Sequence, residues 1–166
     1  MSLDNIQLPS IVIHDLFRNC LVELNSDEGI ESKNNTNALS YLGANKENIL
    51  ILINNPDAIY LSDKHLNFLI GILAACKFTL ADVAIINLSK TPAINYTRIN
   101  EELSPRVTLL FGVSPLQIEL PFDVPLFQVQ QFNQRSYLVA PALNEVEADK
   151  ELKRHLWVKL QQIFDI

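Results

Sequence analysis

The chain has 166 residues, 48% of them apolar, and a formal net charge of −6 at pH 7. A chain of this length suits one domain, and its apolar content is sufficient for a single core without disulfides or metal. The acidic balance argues against a protein that holds duplex DNA by neutralising many phosphates, and it favours a protein partner. We therefore expect one domain over residues 1–166, with no cofactor.

Cysteine and histidine usage indicates neither a disulfide framework nor a zinc site. The two cysteines, Cys20 and Cys76, form no CxxC pair, and only three histidines are present. No apolar run approaches the length of about 18 residues that a membrane span needs, and no targeting segment is expected. These features predict a protein of the reducing cytoplasm that does not associate with membranes.

The N-terminal part of the chain predicts a helix followed by a polar connection. Apolar residues recur at helical spacing at Ile13, Leu16, Phe17, Cys20, Leu21 and Leu24. Residues 25–48 are polar and rich in turn formers, which predicts an exposed connection within the same domain.

A β-α-β unit forms the centre of the predicted fold. The continuous apolar run at 49–53 is typical of a strand buried on both faces. Ser62 is suited to cap a following helix, whose predicted core stripe consists of Leu66, Leu69, Ile70 and Leu73. A second apolar strand follows at 83–88, and a right-handed crossover places the two strands parallel.

The remaining chain extends this sheet and closes it with a helix. Further strands are predicted at 106–111 and 137–140, a half-exposed edge strand at 127–130, and a short helix at 95–103. The apolar face of the closing helix consists of Leu152, Leu156, Trp157, Leu160, Ile163 and Phe164. Trp157 is predicted to anchor the core. The predicted fold is an α/β three-layer sandwich with a mainly parallel central sheet of about four strands.

Ligands of open α/β sheets bind beyond the carboxyl ends of the strands, so those loops are the candidate site. Their polar residues are Asn54, Asn55, Asp57, Ser89, Lys90, Thr91 and Ser114. These loops contain no histidine, cysteine or close acidic pair, and the sequence therefore predicts no catalytic residue. The tripeptide at 55–57 is more typical of a turn, and 89–91 lacks the glycines of a phosphate-binding loop. An enzyme that uses Asp57 and Lys90 is a further hypothesis.

The positions of the other residues with reactive side chains indicate structural roles. His14, His65 and His155 are interpreted as surface or rim histidines, and both cysteines as small buried hydrophobic residues. An acidic cluster consists of Glu145, Glu147, Asp149 and Glu151. It surrounds the start of the closing helix, where carboxylates complement the helix dipole, and we prefer this interpretation to a metal site.

Apolar side chains outside the predicted core stripes indicate a candidate partner surface. Phe68 and Ile72 lie away from the stripe of their helix, and Phe127 and Val129 alternate with glutamines. Exposed apolar residues of this kind are typical of surfaces that bind other proteins.

The C-terminal segment carries a family resemblance. The sequence Val139-Ala140-Pro141-Ala142-Leu143-Asn144 precedes Ala148-Asp149-Lys150 and then Leu156-Trp157-x-x-Leu160-x-x-Ile163-Phe164. This order resembles the psi subunits of the bacterial DNA polymerase III clamp-loader assembly, which have a small-residue and proline turn, a short polar link and a closing helix with a Leu-Trp pair. The buried strand, its two-Asn exit, the apolar helix and Thr79-Leu80-Ala81-Asp82-Val83 are also similar.

The resemblance spans roughly residues 47–164. In the family a mobile N-terminal segment contacts the clamp loader, and the first 46 residues here carry no clear match to it. The resemblance implies a non-enzymatic accessory protein whose partners are replication proteins associated with the clamp loader or with single-strand-binding protein. It implies weak or no direct nucleic-acid binding.

Psi subunits are similar in fold to the uracil-DNA glycosylases, which place a water-directing acid after the first strand and a histidine in a His-Pro-Ser turn after the last. The corresponding turn here is Ala140-Pro141-Ala142, with alanine at the histidine position. The resemblance thus implies a uracil-DNA glycosylase-like fold without the catalytic groups. The alternative is an inactive glycosylase-fold protein that binds nucleic acid or nucleotide, for which a basic groove beside Lys90, Arg98 and Arg106 would be the sign.

Overall fold

A computed structural model describes residues 38–91 and 93–166 of the chain. The predicted helix at 13–24, with Cys20 and His14, lies outside the described residues. The same is true of residues 25–37 of the predicted connection.

Six strands of the described residues form one sheet in the order β1-β3-β2-β4-β6-β5. They are β1 (Leu42–Gly43), β2 (Ile49–Ile53), β3 (Val83–Asn87), β4 (Val107–Phe111), β5 (Val129–Phe132) and β6 (Arg135–Ala140). The inner strands β3, β2, β4 and β6 pair in parallel, whereas β1 and β5 pair antiparallel at the two edges. The α/β class is confirmed. The expected mainly parallel sheet of about four strands is wrong, because the sheet is mixed and has six strands.

Both antiparallel pairings involve short edge strands. The half-exposed edge strand predicted at 127–130 corresponds to β5 and begins two residues later. β1 has two residues and pairs Leu42 with Ile85. β5 joins β6 through a two-residue turn in which Asn133 and Gln134 have φ values of 50° and 60°. Two left-handed residues match the twist of a hairpin, but glycine usually marks such turns and is absent here.

The described residues contain four α-helices, α1 (Asp63–Ala75), α2 (Tyr96–Glu102), α3 (Leu143–Ala148) and α4 (Lys150–Phe164). The Ser62 hydroxyl caps α1 by accepting a hydrogen bond from the backbone N–H of His65 at 3.5 Å. Asp149 caps α4 through the backbone N–H of Glu151 at 2.8 Å. The helices predicted at 63–75, at 95–103 and from Asp149 are confirmed, whereas α3 was not predicted. None of these helices combines the length and the apolar character needed to cross a bilayer.

Alternate residues of β2 face two separate hydrophobic clusters. Ile49, Ile51 and Ile53 pack with α1, α3 and α4 on one face of the sheet. Leu50 and Leu52 pack on the other face with α2 and the irregular segment 113–124. All five residues of β2 are buried, so this strand lies at the centre of the fold as predicted.

The predicted core stripe of α1 is wrong at one position. Leu69 and Leu73 are buried, but Ile70 is 40% exposed. Phe68 and Ile72, on the opposite flank of the helix, pack partly against the core. The asymmetry arises because α4 lies beside the flank with Phe68, as the 5.5 Å distance from the Lys153 ammonium to the Phe68 ring shows.

Trp157 is not the main anchor of the closing helix. Leu156 and Leu160 are its buried residues, and Trp157 is half-buried. We expect Leu156→Ala to lower the free energy of unfolding by about 2–5 kcal/mol. Trp157→Ala should cost less, because part of the indole is already in water. Urea unfolding followed by circular dichroism measures both losses, and a larger loss for Trp157→Ala would contradict the described packing.

Cys76 is buried at the end of α1, and burial raises the pKa of its thiol to about 11. The reactive form of a thiol is the thiolate. In a Cys20→Ser variant, we therefore expect iodoacetamide to label native Cys76 slowly at pH 8, with a rate that rises as the pH approaches 11. Labelling should be fast at pH 8 in urea. Equal native and unfolded rates at pH 8 would show that the thiol is accessible.

Candidate functional site

The loops after β2 and β3 are joined by one buried side chain, that of Asn87. Asn87 ends β3 and is 1% exposed. Its amide nitrogen donates to the carbonyl groups of Asn55, Ala58 and Ile59 at 2.6, 2.9 and 3.2 Å. Its amide oxygen accepts from the backbone N–H groups of Asn55 and Ser89 at 3.0 and 3.2 Å. A single amide therefore holds both loops at the carboxyl edge of the sheet.

Several predicted site residues add further bonds between these two loops. The Ser89 hydroxyl donates to the side-chain oxygen of Asn54. The Lys90 ammonium donates to the carbonyl oxygen of Pro56 at 2.9 Å. The side-chain oxygen of Asn55 accepts from the backbone N–H of Asp57 at 3.0 Å, which is the geometry of an Asx turn. The structure thus brings these residues together, and their hydrogen bonds mainly stabilise the conformation of the two loops.

Thr91 and Ser114 lie next to this network. Thr91, Asn54 and Ser89 line a depression of about 230 Å³ together with Gln117. Ser114 precedes the 3-10 turn Pro115–Ile118, and its backbone N–H donates to the Gln117 side chain at 3.0 Å. Ser114 therefore caps a turn, and Gln117 connects that turn to the depression.

A second depression, of about 200 Å³, lies between the ends of β2 and β4. Its polar lining includes Asn54, Asp57, His65 and Asn144, and Phe111 contributes an aromatic ring. Sequence reasoning placed no histidine here. Its position could have been predicted from the sequence. A helix that follows a parallel strand begins at the carboxyl edge of the sheet, and His65 lies in the first turn of α1.

Polar side chains of α1 and α3 lie close together beside this depression. The Glu147 carboxylate lies 3.2 Å from the Lys64 ammonium and 3.9 Å from the His65 imidazole. Glu147 therefore links α3 to the start of α1 through its contacts with Lys64 and His65. Within 38–91 and 93–166, no three His, Cys, Asp or Glu side chains are grouped so that they could hold a metal ion.

The structure does not bring Lys90, Arg98 and Arg106 into one basic groove. Lys90 follows β3 at the carboxyl edge, whereas Arg106 precedes β4 at the opposite edge and contacts Glu47 at 3.2 Å. The Arg98 guanidinium contacts Glu102 at 2.8 Å. Local acceptors therefore engage each of the three cations, and the predicted sign of nucleic-acid binding is absent at these residues.

A larger groove, of about 430 Å³, lies between α1 and α4. Its lining is mostly apolar and consists of Asn67, Phe68, Gly71, Ile72, Ala75, Val146, Lys153, Leu156, Trp157 and Leu160. Two members of the predicted partner surface, Phe68 and Ile72, are therefore in its wall. A Cβ atom added at Gly71 would meet no other atom within 4 Å, so the groove is open above that residue.

The other two predicted surface residues lie on a different side of α4. The Phe127 ring meets the His155 imidazole with centroids 5.7 Å apart. His155 is two positions from Lys153, a separation that places the two side chains on different sides of a helix. Val129 begins the edge strand β5 and is half-buried. The four residues thus belong to two surfaces, and Phe68 and Ile72 line the α1–α4 groove.

We expect Asn87→Ala to lower the free energy of unfolding by about 1–3 kcal/mol, because it leaves buried backbone groups of both loops without partners. It should also increase proteolytic cleavage within residues 54–61. Asn54→Ala is the control, since its side chain bonds to an exposed hydroxyl, and it should cost less than about 1 kcal/mol. Urea unfolding and limited proteolysis test this. Equal losses for the two variants would contradict the central role of Asn87.

Two comparisons of the sequence with known proteins identify no family for this chain. No protein-family model matches the sequence. A comparison with curated proteins likewise found no significant match. The functional interpretation therefore depends on the two depressions at the carboxyl edge, on the α1–α4 groove and on the resemblance of the sequence segments given above.

Proposed function

We propose that this chain is a non-enzymatic, psi-like accessory protein that binds partners in the DNA replication clamp-loader assembly. The observation that carries the proposal is the open apolar groove between α1 and α4. Its walls contain the Phe68 and Trp157 rings, both half-buried. Large aromatic side chains at the edge of a groove are typical anchors of protein–protein interfaces.

The non-enzymatic part of the proposal is supported by how the carboxyl edge uses its polar groups. Asn87 makes five hydrogen bonds to the backbone of the two loops. The hydroxyl of Ser89 and the ammonium of Lys90 also bond within the loops. These groups stabilise the loop conformation, and the turn at 140–142 has alanine where a glycosylase would have its histidine.

We also propose that the fold is a three-layer sandwich of the uracil-DNA glycosylase-like type. Support comes from the helices on both faces of the sheet. The two-Asn exit follows β2 and the Ala140-Pro141-Ala142 turn follows β6, so both segments of the resemblance lie at the carboxyl edge. The expected cytoplasmic location belongs to the same proposal.

The second candidate function is nucleotide binding by an inactive glycosylase-like fold. It rests on the 200 Å³ depression, in which Phe111 offers a ring and Asn54 and Asn144 offer amides. The acidic chain and the locally engaged cations Lys90, Arg98 and Arg106 favour the partner-binding proposal over it. Calorimetric titration with nucleoside monophosphates distinguishes the two, because the leading proposal expects no binding at millimolar concentration.

We predict that Gly71→Leu abolishes partner retention. The leucine side chain is expected to fill part of the groove, because Gly71 lines it and a Cβ at this position has no near neighbour. Ala74→Leu is the matched control, since Ala74 is an exposed residue of the same helix outside the groove lining. The measurement is an affinity pull-down from the source cell with mass spectrometry, using the tagged full-length chain.

The wild-type chain and Ala74→Leu should both retain clamp-loader or single-strand-binding components, and Gly71→Leu should not. Thermal melts of the three proteins check that each is folded. Recovery of no replication protein by the folded wild-type chain would overturn the psi-like function. Undiminished recovery by Gly71→Leu would show that the partner binds elsewhere.

A further inference from the structure

We infer that a buried water molecule binds between α2 and the sheet, where it joins the hydroxyl groups of Tyr137 and Thr108. The site lies on the sheet face of Leu50 and Leu52, whereas the α1–α4 groove lies on the other face. The inference therefore goes beyond the proposed partner-binding function and does not depend on it. Its basis is a pair of buried hydroxyl groups that have no hydrogen-bond partner among the described residues.

Tyr137 and Thr108 occupy neighbouring strands and point to the same side of the sheet. They are register partners in the parallel pairing of β4 and β6. Each residue is 2% exposed, although both side chains carry a hydroxyl group. Buried hydroxyl groups are nearly always hydrogen-bonded, because leaving one without a partner costs free energy. The two hydroxyls are therefore placed to share one partner.

The Tyr96 hydroxyl of α2 is a third group that can bond to this water. The ring centroids of Tyr96 and Tyr137 lie 6.5 Å apart. Burial raises the pKa of Tyr137, and the neighbouring Tyr96 hydroxyl raises it further, so the two phenol groups interact. They nevertheless form no direct hydrogen bond. Polar groups that interact without direct bonding are commonly bridged by water.

Aromatic rings enclose the Tyr137 side chain. Tyr96 and Phe122 contact its ring, and Phe132 contacts both of these residues. A water molecule beside the Tyr137 hydroxyl is thus separated from the surface layer of solvent. Internal waters typically make about three hydrogen bonds. The hydroxyls of Tyr137, Thr108 and Tyr96 supply that number.

The charge beside the site argues against an ion in place of water. The Arg135 guanidinium acts on the Tyr137 hydroxyl by opposing the rise in its pKa, and it donates a hydrogen bond to the Asn100 side chain. A cation would be repelled by Arg135. An anion would lose its hydration on burial among neutral hydroxyl groups, which is costly. Water carries no charge and both donates and accepts hydrogen bonds.

The water links a short helix to two strands of the sheet. Tyr96 begins α2, which has seven residues and buries Ile99. A helix of this length gains little stability from its own hydrogen bonds. Bonds through the water to β4 and β6 therefore help to fix α2 on the sheet.

A high-resolution crystal structure of the full-length chain tests the site directly. We expect a peak of electron density within about 2.5–3.0 Å of both Tyr137 Oη and Thr108 Oγ1. Direct bonding of the two hydroxyls to protein groups, with no peak between them, would overturn the inference. Coordination that identifies the peak as an ion would overturn it as well.

Removal of single hydroxyls tests the same site in solution. Tyr137→Phe and Thr108→Val should each lower the urea midpoint of unfolding, because the water and the remaining hydroxyl lose a partner. The double variant should lower the midpoint by less than the sum of the two single losses, since either substitution already breaks the bridge. Without the water, each substitution would remove an unsatisfied buried group and raise the midpoint.

Thr97→Val and Tyr41→Phe are the matched controls, because they make the same chemical changes at exposed residues. Both should change the midpoint little. A raised midpoint for either buried variant, or additive losses in the double variant, contradicts a shared water. Partner retention should be unaffected in all these variants, because the groove lies on the other face of the sheet. The outcome is therefore separate from the test of the proposed function.

Discussion

The complete burial of β2 is the constraint on which the rest of the described structure depends. Side chains of Ile49–Ile53 are covered on both faces, so the backbone polar groups of the strand must all be bonded by neighbouring strands. β3 and β4 meet this need with parallel pairing along all five residues. Parallel pairing requires crossovers, and the crossovers place helices on the faces. The carboxyl ends of the inner strands therefore meet at one edge, where the polar loops gather.

Asn87 stabilises the two loops at that edge through its buried side-chain amide. A buried amide carries four hydrogen-bonding positions, and leaving them empty is costly, so its partners are fixed by the fold. The amide bonds to backbone groups of both loops, so its hydrogen-bonding capacity is used by the loop conformation. The apolar groove, by contrast, has few internal polar partners and is open to solvent. This difference in satisfied bonding is why we propose the groove, and not the polar edge, as the binding surface.

The sequence predicted elements whose signals are local. The cap at Ser62, the helical period of α1 and the continuous apolar runs of β2 and β3 are all contained within short segments. Each element forms where it was predicted, although Ile70 of the predicted α1 stripe is exposed. The features that the sequence did not predict lack a clear local signal or depend on contacts that are distant in sequence. β1 is too short to show a pattern, the β5–β6 turn lacks glycine, and α3 has no side-chain cap. The partners of Asn87 are about 30 residues away in sequence, and nothing local distinguishes it from a turn asparagine.

The unpredicted helix α3 also explains why a groove exists. α3 contacts both α1 and α4, and its Val146 is fully buried where it lines the groove. Val146 of α3 thus forms part of the groove lining together with residues of the two longer helices. The ion pair between Glu147 and Lys64 links α3 to α1 at the same place. Because a fully buried residue of α3 lines the groove, the groove is part of the packed structure and not a local packing fault.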